Sequence, residues 1–309
     1  MKKVAEPYEL SRTDWTILGQ VSQSPGSISE LAKRIHRSPP VVTESVNRLV
    51  SKGFVDEERG HNRRVVRLSD RKHAQILREL LMKYPHVPWE DILSFSGIVP
   101  LLKLQLGNIP LLVSRSTEWR ALRNLMSHGI VSKKDNILQI NPRFQKAGEF
   151  INEFQNYHGL KLARETSDKA VIVWSKGSSF IIRVPENEII LDDRFKPTAT
   201  TKMPEYGIAL ISKFKFYFYS PSAKEITPED TVIHTLLTDG ITNTTHALIL
   251  MSKVSIDRKK LLRKAEENAL RPQVQAMIDF LDEKKTSTSV NLPKWSEFAE
   301  KARDYGALK

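Results

Sequence analysis

Within the first seventy or so residues, apolar positions recur at three- and four-residue spacing, then give way to short β-rich runs. In LSRTDWTILGQVSQ, Trp15, Leu18 and Val21 share one helical face. Ser11 stands where it can cap that helix, and Asp14 favours its positive end. SPGS breaks the pattern, and Ile28, Leu31, Ala32 and Ile35 resume it. A third stripe, Val42, Val46 and Leu49, predicts a helix over residues 39–52. Ser38 takes its N-cap position, Pro39 its first turn where a missing N–H costs nothing, and Gly53 its end. The opposite face carries Pro40, Thr43, Glu44 and Asn47, with Arg48 at its edge. FVDEERGHNRRVVRLS then predicts two strands, Phe54–Glu57 and Val65–Leu68. Their tip holds Arg59, His61, Asn62, Arg63 and Arg64. Three short helices followed by a basic hairpin describe a winged helix-turn-helix.

A weaker copy of this series follows an amphipathic segment, DRKHAQILRELLMKY. That segment either packs on its own chain or forms a dimer helix. WEDILSFSGIVPLLKLQLGN predicts a helix and IPLLVSRS a short second element. STEWRALRNLMSHGIV predicts a third helix capped by Ser116, with Trp119, Leu122 and Met126 turned inward. Thr117, Arg120 and Asn124 are then turned outward. SKKDNILQINP supplies a short hairpin tipped by Lys133 and Lys134. A closing helix follows, with Phe144, Ala147, Ile151 and Phe154 on one face. The run from helix through GIV to hairpin matches LVSKGFV and its hairpin in the first series. This second winged helix either adds phosphate contacts or serves as a packing module.

From residue 165 the pattern becomes strands, then helices, which is the signature of an α+β domain. KAVIVWSKGSSFIIRV predicts a hairpin turning at Lys176-Gly177, and NEIIL, GIALIS and FKFYFYS predict further strands. Thr227 with Asp230 forms a capping box ahead of a helix, and three more helical runs extend to about residue 285. TSTSVNLPKW reads as a linker. The short helix after it, with Trp295, Phe298, Ala299 and Ala302 on one side, docks on its own domain or on a partner. The expected architecture is α+β and multidomain. It divides into a winged helix-turn-helix at 1–83, a second winged-helix-like domain at 84–164, an α+β domain at 165–285, and a linker with a short helix at 286–309.

Charge sharpens this division. The chain of 309 residues has a formal net charge of +12, and ten of those twelve excess positive charges fall within residues 1–164. A basic half joined to a near-neutral half points to a polyanion-binding region with a separate second function. With no cysteine, the chain has neither a disulfide framework nor a thiolate metal site. No apolar run reaches the length of a membrane span, so a cytoplasmic protein without a membrane partner is expected.

On the helix at 39–52, the exposed set fits the major groove of duplex DNA. Asn47 can pair with adenine, Glu44 can accept from cytosine N4, and Thr43 can touch a thymine methyl. The expected DNA-binding set is Ser38, Pro40, Thr43, Glu44, Asn47 and Arg48 on the helix. Arg59, His61, Asn62, Arg63 and Arg64 of the wing at 59–64 add phosphate contacts. Thr117, Arg120, Asn124, Lys133 and Lys134 form a possible second set. The competing reading is a winged helix that contacts protein. Enzyme chemistry finds little footing. Gly177-Ser178 and Asp192-Asp193 resemble parts of a nucleotidyltransferase site, but adjacent aspartates on a strand point to opposite faces and could not share a metal. His234 and His246 lack carboxylates at ligand spacing and read as structural. No catalytic residue, metal or cofactor is expected.

Two resemblances complete the reading. From Leu10 to Leu80, and above all in LAKRIHRSPPVVTESVNRLVSKGFV, the chain resembles the DNA-binding half of MarR- and ArsR-type regulators. That likeness implies a homodimer reading a palindromic site. Over residues 165–285 it resembles the C-terminal domain of AbiEi-type antitoxins, through KPTATTKMPEYGIAL, FYFYSPSAKEITPEDTVIHTLL and LILMSKVSIDRKKLLRKAEENAL. That likeness implies autoregulation and a protein partner at the C-terminal domain, a nucleotidyltransferase-type toxin. The second winged helix is a departure from that family.

Overall fold

The computed structural model describes residues 10–59, 64–106, 113–135, 137–221, 225–238, 240–284 and 292–308. They form two compact units, residues 1–159 and 160–309. The four sequence segments thus gather into two units. The border falls inside one long helix, because the closing helix runs beyond the sequence boundary at 164.

The first unit opens with α1 (Arg12–Gln23), a two-residue strand β1 (Gly26–Ser27), α2 (Ile28–Arg34) and α3 (Pro39–Ser51). The cap of α1 is the one the sequence announces. Ser11 and Asp14 close a capping box on α1, and Ser27 and Glu30 close one on α2. Ser38 occupies the N-cap of α3 but makes no side-chain cap bond. Pro40, at the second helical position, has removed one of the two donors it would serve. β2 (Val55–Arg59) and β3 (Arg64–Leu68) pair antiparallel, and β1 adds to β3, giving the order β1-β3-β2. Leu18, Leu31, Val42, Val46, Leu49, Phe54 and Val66 are wholly buried in one core beneath them. α4 (Lys72–Lys83) sets Ala74, Leu77 and Leu80 into the same core.

The second half of this unit is α5 (Trp89–Ile92), α6 (Phe95–Leu106), α7 (Arg115–Ser127), the hairpin β4 (Val131–Lys134) and β5 (Ile137–Ile140), and α8 (Gln145–Thr166). The first half of the predicted element IPLLVSRS lies outside the described residues, and its end supplies the cap and first turn of α7. The match between α3 and α7 extends to atoms. Both helices have 13 residues and start after a serine N-cap, Ser38 and Ser114. Leu49 and Leu125 are both wholly buried. Gly53 and Gly129 both end their helix with positive φ, 71° and 69°. Phe54 N donates to Leu49 O and Ile130 N to Leu125 O, each at 2.9 Å. Each hairpin is then closed by the same bond, Ser69 N to Phe54 O at 2.9 Å and Asn141 N to Ile130 O at 2.8 Å.

This register overturns the predicted inward face of α7. Trp119 is 53% exposed and Met126 39%, Leu122 is half-buried, and Leu125 is the residue the core takes. The N-cap is Ser114, whose Oγ accepts from Thr117 N, and not Ser116. Two stripes one residue apart compete on such a helix, and it is Thr117, Ala121 and Asn124 that face α5 and α6, across a small cavity.

The second unit holds a four-stranded antiparallel sheet with β6 (Val171–Lys176), β7 (Ser179–Pro185), β8 (Phe195–Pro197) and β9 (Phe214–Tyr219) in the order β6-β7-β9-β8. α9 (Pro228–Thr238), α10 (Gly240–Lys253), α11 (Arg258–Glu267), α12 (Arg271–Glu283) and α13 (Trp295–Asp304) follow. The Thr227–Asp230 capping box is present. NEIIL and GIALIS are not strands: Ile189, Leu191 and Ile211 stand 69%, 88% and 102% exposed. Two 3-10 turns ending at Gly207 use up the chain between β8 and β9. β8 was too short, and too close to Pro197, to register as an alternation. β9 is an inner strand with buried residues on both faces, Phe216 and Tyr217. α13 docks on its own unit: Phe298 and Ala302 are wholly buried, and Trp295 lies 5.3 Å from the Phe280 ring.

Candidate nucleic-acid interface

α3 is held by its buried side and leaves the other bare. Val42, Ser45, Val46 and Leu49 are buried; Ser38, Pro40, Thr43, Glu44 and Asn47 are exposed. Thr43 Oγ1 donates back to Pro39 O at 2.9 Å, which leaves its methyl facing outward.

Arg48 has a different task. Its guanidinium spans from α3 to α1, donating from Nη2 to Asp14 Oδ1 at 3.1 Å and from Nε to Oδ2 at 3.4 Å. Nη1 reaches Glu44 Oε1 at 2.6 Å, and Nη2 also reaches Ser45 Oγ at 3.0 Å. The hydrogen bond to Asp14 raises the Arg48 pKa above its ordinary value, against the opposing pull of burial. The Asp14 side chain is only 1% exposed. Arg48 is therefore spent on positioning α3, a role invisible in the local pattern because its partner lies 34 residues away.

A second fixture lies under the far end of α3. The carbonyl of its C-cap residue Lys52 is 3.2 Å from His73 Nε2. A carbonyl only accepts, so Nε2 carries the proton. The His73 ring lies among Phe54, edge-on, and the tilted rings of Phe154 and Tyr157 at 4.7–5.4 Å, and burial pushes its pKa down to about 4.

Of the predicted wing residues, His61, Asn62 and Arg63 lie outside the described residues, and for Arg59 only the backbone pairing with Arg64 is described. Arg64 is exposed, with Glu57 Oε2 at 3.8 Å, too long for a strong pair. Arg67 is held by Glu58 at 2.9 Å. Sequence reasoning passed over Lys33 and Arg37, which flank the turn into α3. Both are exposed, and neither has a carboxylate partner among the described residues. Their closeness to Ser38 was the available signal.

The second predicted set divides. Thr117, Arg120 and Asn124 line a cavity of about 300 Å³ with Asp91, Ser96 and Leu125, so that face of α7 turns toward α5 and α6. Lys103 and Glu118, 2.7 Å apart, brace the same side. Lys133 and Lys134 are exposed on β4. A larger cavity, about 540 Å³, opens between α1 and residues 81–90, with Trp15, Met82 and Trp89 in its wall.

Residues 10–66 match the model of the MarR family. The match spans α1 through β3, the elements that hold and present α3, and it suggests a DNA-binding transcriptional regulator. Residues 192–307 match a C-terminal family designated HVO_2833_C, and this match reaches through α13. The expected likeness to AbiEi-type antitoxins has no counterpart in it. No curated protein and no solved structure matches the chain.

Proposed function

We propose that this protein is a sequence-specific regulator of transcription that binds double-stranded DNA as a dimer, without catalysis of its own. α3 enters the major groove, with Thr43, Glu44 and Asn47 at base edges, and residues 59–64 of the wing clamp phosphates. One observation carries this reading: a MarR-type domain fixes α3 by buried contacts on one side and leaves Thr43 and Asn47 fully presented on the other. Lys33 and Arg37 at the entry to α3 add phosphate contacts.

The test is selection of duplexes from a random pool, followed by titration. Asn47→Ala should relax preference at one base pair by about 1–3 kcal/mol and leave the salt slope unchanged. Unchanged preference at every position would remove α3 from the groove. Sedimentation of the free and bound protein checks the two-chain stoichiometry.

A second reading, a protein-docking role for the second unit with the winged helices as scaffolding, is favoured by Ile189, Leu191 and Ile211. These exposed side chains sit on neighbouring loops joined by the Glu186 N to Lys213 O bond of 3.1 Å. A stoichiometric protein recovered with the full chain, without DNA enrichment, is the outcome that favours it.

A further inference from the structure

The likeness between α3 and α7 assigns roles by position. Counting from Ser38 and Ser114 to Gly53 and Gly129, Thr43 corresponds to Trp119, Asn47 to Arg123, and Arg48 to Asn124. Asn124 faces its neighbouring helices, just as Arg48 faces α1. Trp119 and Arg123 therefore stand where α3 carries its presented residues. The two are stacked, with the Arg123 guanidinium 5.5 Å from the Trp119 ring centre.

Charge identifies the occupant. Arg115 lies one turn before Trp119 on the same stripe. Arg115, Arg123, Lys133 and Lys134 are all exposed, and among the described residues none has a carboxylate within ion-pair distance. Several cations elsewhere in this unit are paired, Arg48 with Asp14, Arg71 with Asp56, Lys72 with Glu153 and Lys103 with Glu118, whereas Lys33 and Arg37 at the entry to α3 are bare like those of α7. A bare cationic stripe with one planar aromatic suits a polyanion that presents flat groups.

We propose that α7 and the β4–β5 hairpin form a second duplex-DNA contact in each chain, made by Arg115, Trp119, Arg123, Lys133 and Lys134. This rests on the reading of α3 as a DNA-binding helix. Arg115, Lys133 and Lys134 meet phosphates. Arg123, in the position of Asn47, presents a fork that matches guanine O6 and N7, with Trp119 holding it in plane. The contact face is thus the stripe one residue off from Thr117, Arg120 and Asn124.

The experiment uses the full chain and a duplex selected by the wild-type protein, titrated between about 50 and 200 mM salt, with hydroxyl-radical footprinting. Arg115→Ala/Arg123→Ala and Lys133→Ala/Lys134→Ala should each lower the salt slope by about one to two per bound chain and shorten the protected stretch. Arg123→Lys should keep the slope but lose preference at a guanine. All these side chains are exposed, so melting temperatures should match wild type. If all four alanine changes together leave slope and footprint unchanged while Asn47→Ala still alters preference, the second contact is refuted and the α3 reading stands. If wild type binds no duplex, both fall. A protein bound through Trp119 in place of DNA would also refute it.

Discussion

At residue scale, the two glycines that end α3 and α7 perform the same backbone task under different constraint. Both hold a left-handed conformation that costs an L-residue about 1–2 kcal/mol. A Cβ at Gly53 would also overlap the Tyr157 ring, whereas the space at Gly129 is open. Gly53→Ala should therefore lower the melting temperature more than Gly129→Ala, and equal losses would contradict the packing described. His73 and His234 are both held at about 4 by burial, below the ordinary 6.5. His234 lies 2.6 Å from Thr198 Oγ1. A depressed histidine favours the folded state while neutral. Its contribution is complete above about pH 6.5 and is lost as pH falls toward 4, because the unfolded chain then binds the extra proton. Unfolding free energy should drop by about 1.4 kcal/mol per pH unit for each histidine across that window. Replacing either with Gln should flatten the slope by one proton; a flat profile in wild type would refute the burial of both.

At the scale of elements, α3 is oriented by a half-buried ion pair with an enclosed carboxylate more than by its own caps. Removing the Arg48 side chain leaves the Asp14 carboxylate enclosed without its cation, at a cost of about 1–3 kcal/mol. Arg48→Ala should thus weaken folding, measured by urea denaturation, and reduce DNA affinity evenly over all sequences. A selective change at one base pair would instead make Arg48 a base-reading residue. The two-winged-helix repeat shows how an element keeps its fold while its surface changes. Burial of Leu49 and Leu125 and the hairpin-closing bonds are preserved. The presented residues differ, Thr43 and Asn47 against Trp119 and Arg123, because nothing in the core constrains them.

At the scale of the whole molecule, α13 belongs to the second unit's core. Phe298→Ala should cost about 3–5 kcal/mol of that unit's stability, and in urea only one of two transitions should move. Helices, caps and the first hairpin were legible because their causes are local: Ser11 with Asp14, Thr227 with Asp230, a periodic stripe, a terminal glycine. The exposed face of α3 was legible for the same reason, since Val42, Val46 and Leu49 leave a single side to be bare. The face of α7 was not, because Trp119 and Leu125 are both apolar and only the neighbouring helices choose between them. NEIIL and GIALIS show the same limit in strands, where β-rich composition needs a partner edge that β8 and β9 had already taken. The sequence by itself determined which segments are helical, where α1, α3 and α9 begin, and that the positive charge lies in the first half. Only tertiary structure decided which faces are covered, that Arg48 is bound to Asp14, and that α13 is core. Those outcomes depend on residues far apart in the chain, whose contact energies appear only after folding has brought them together.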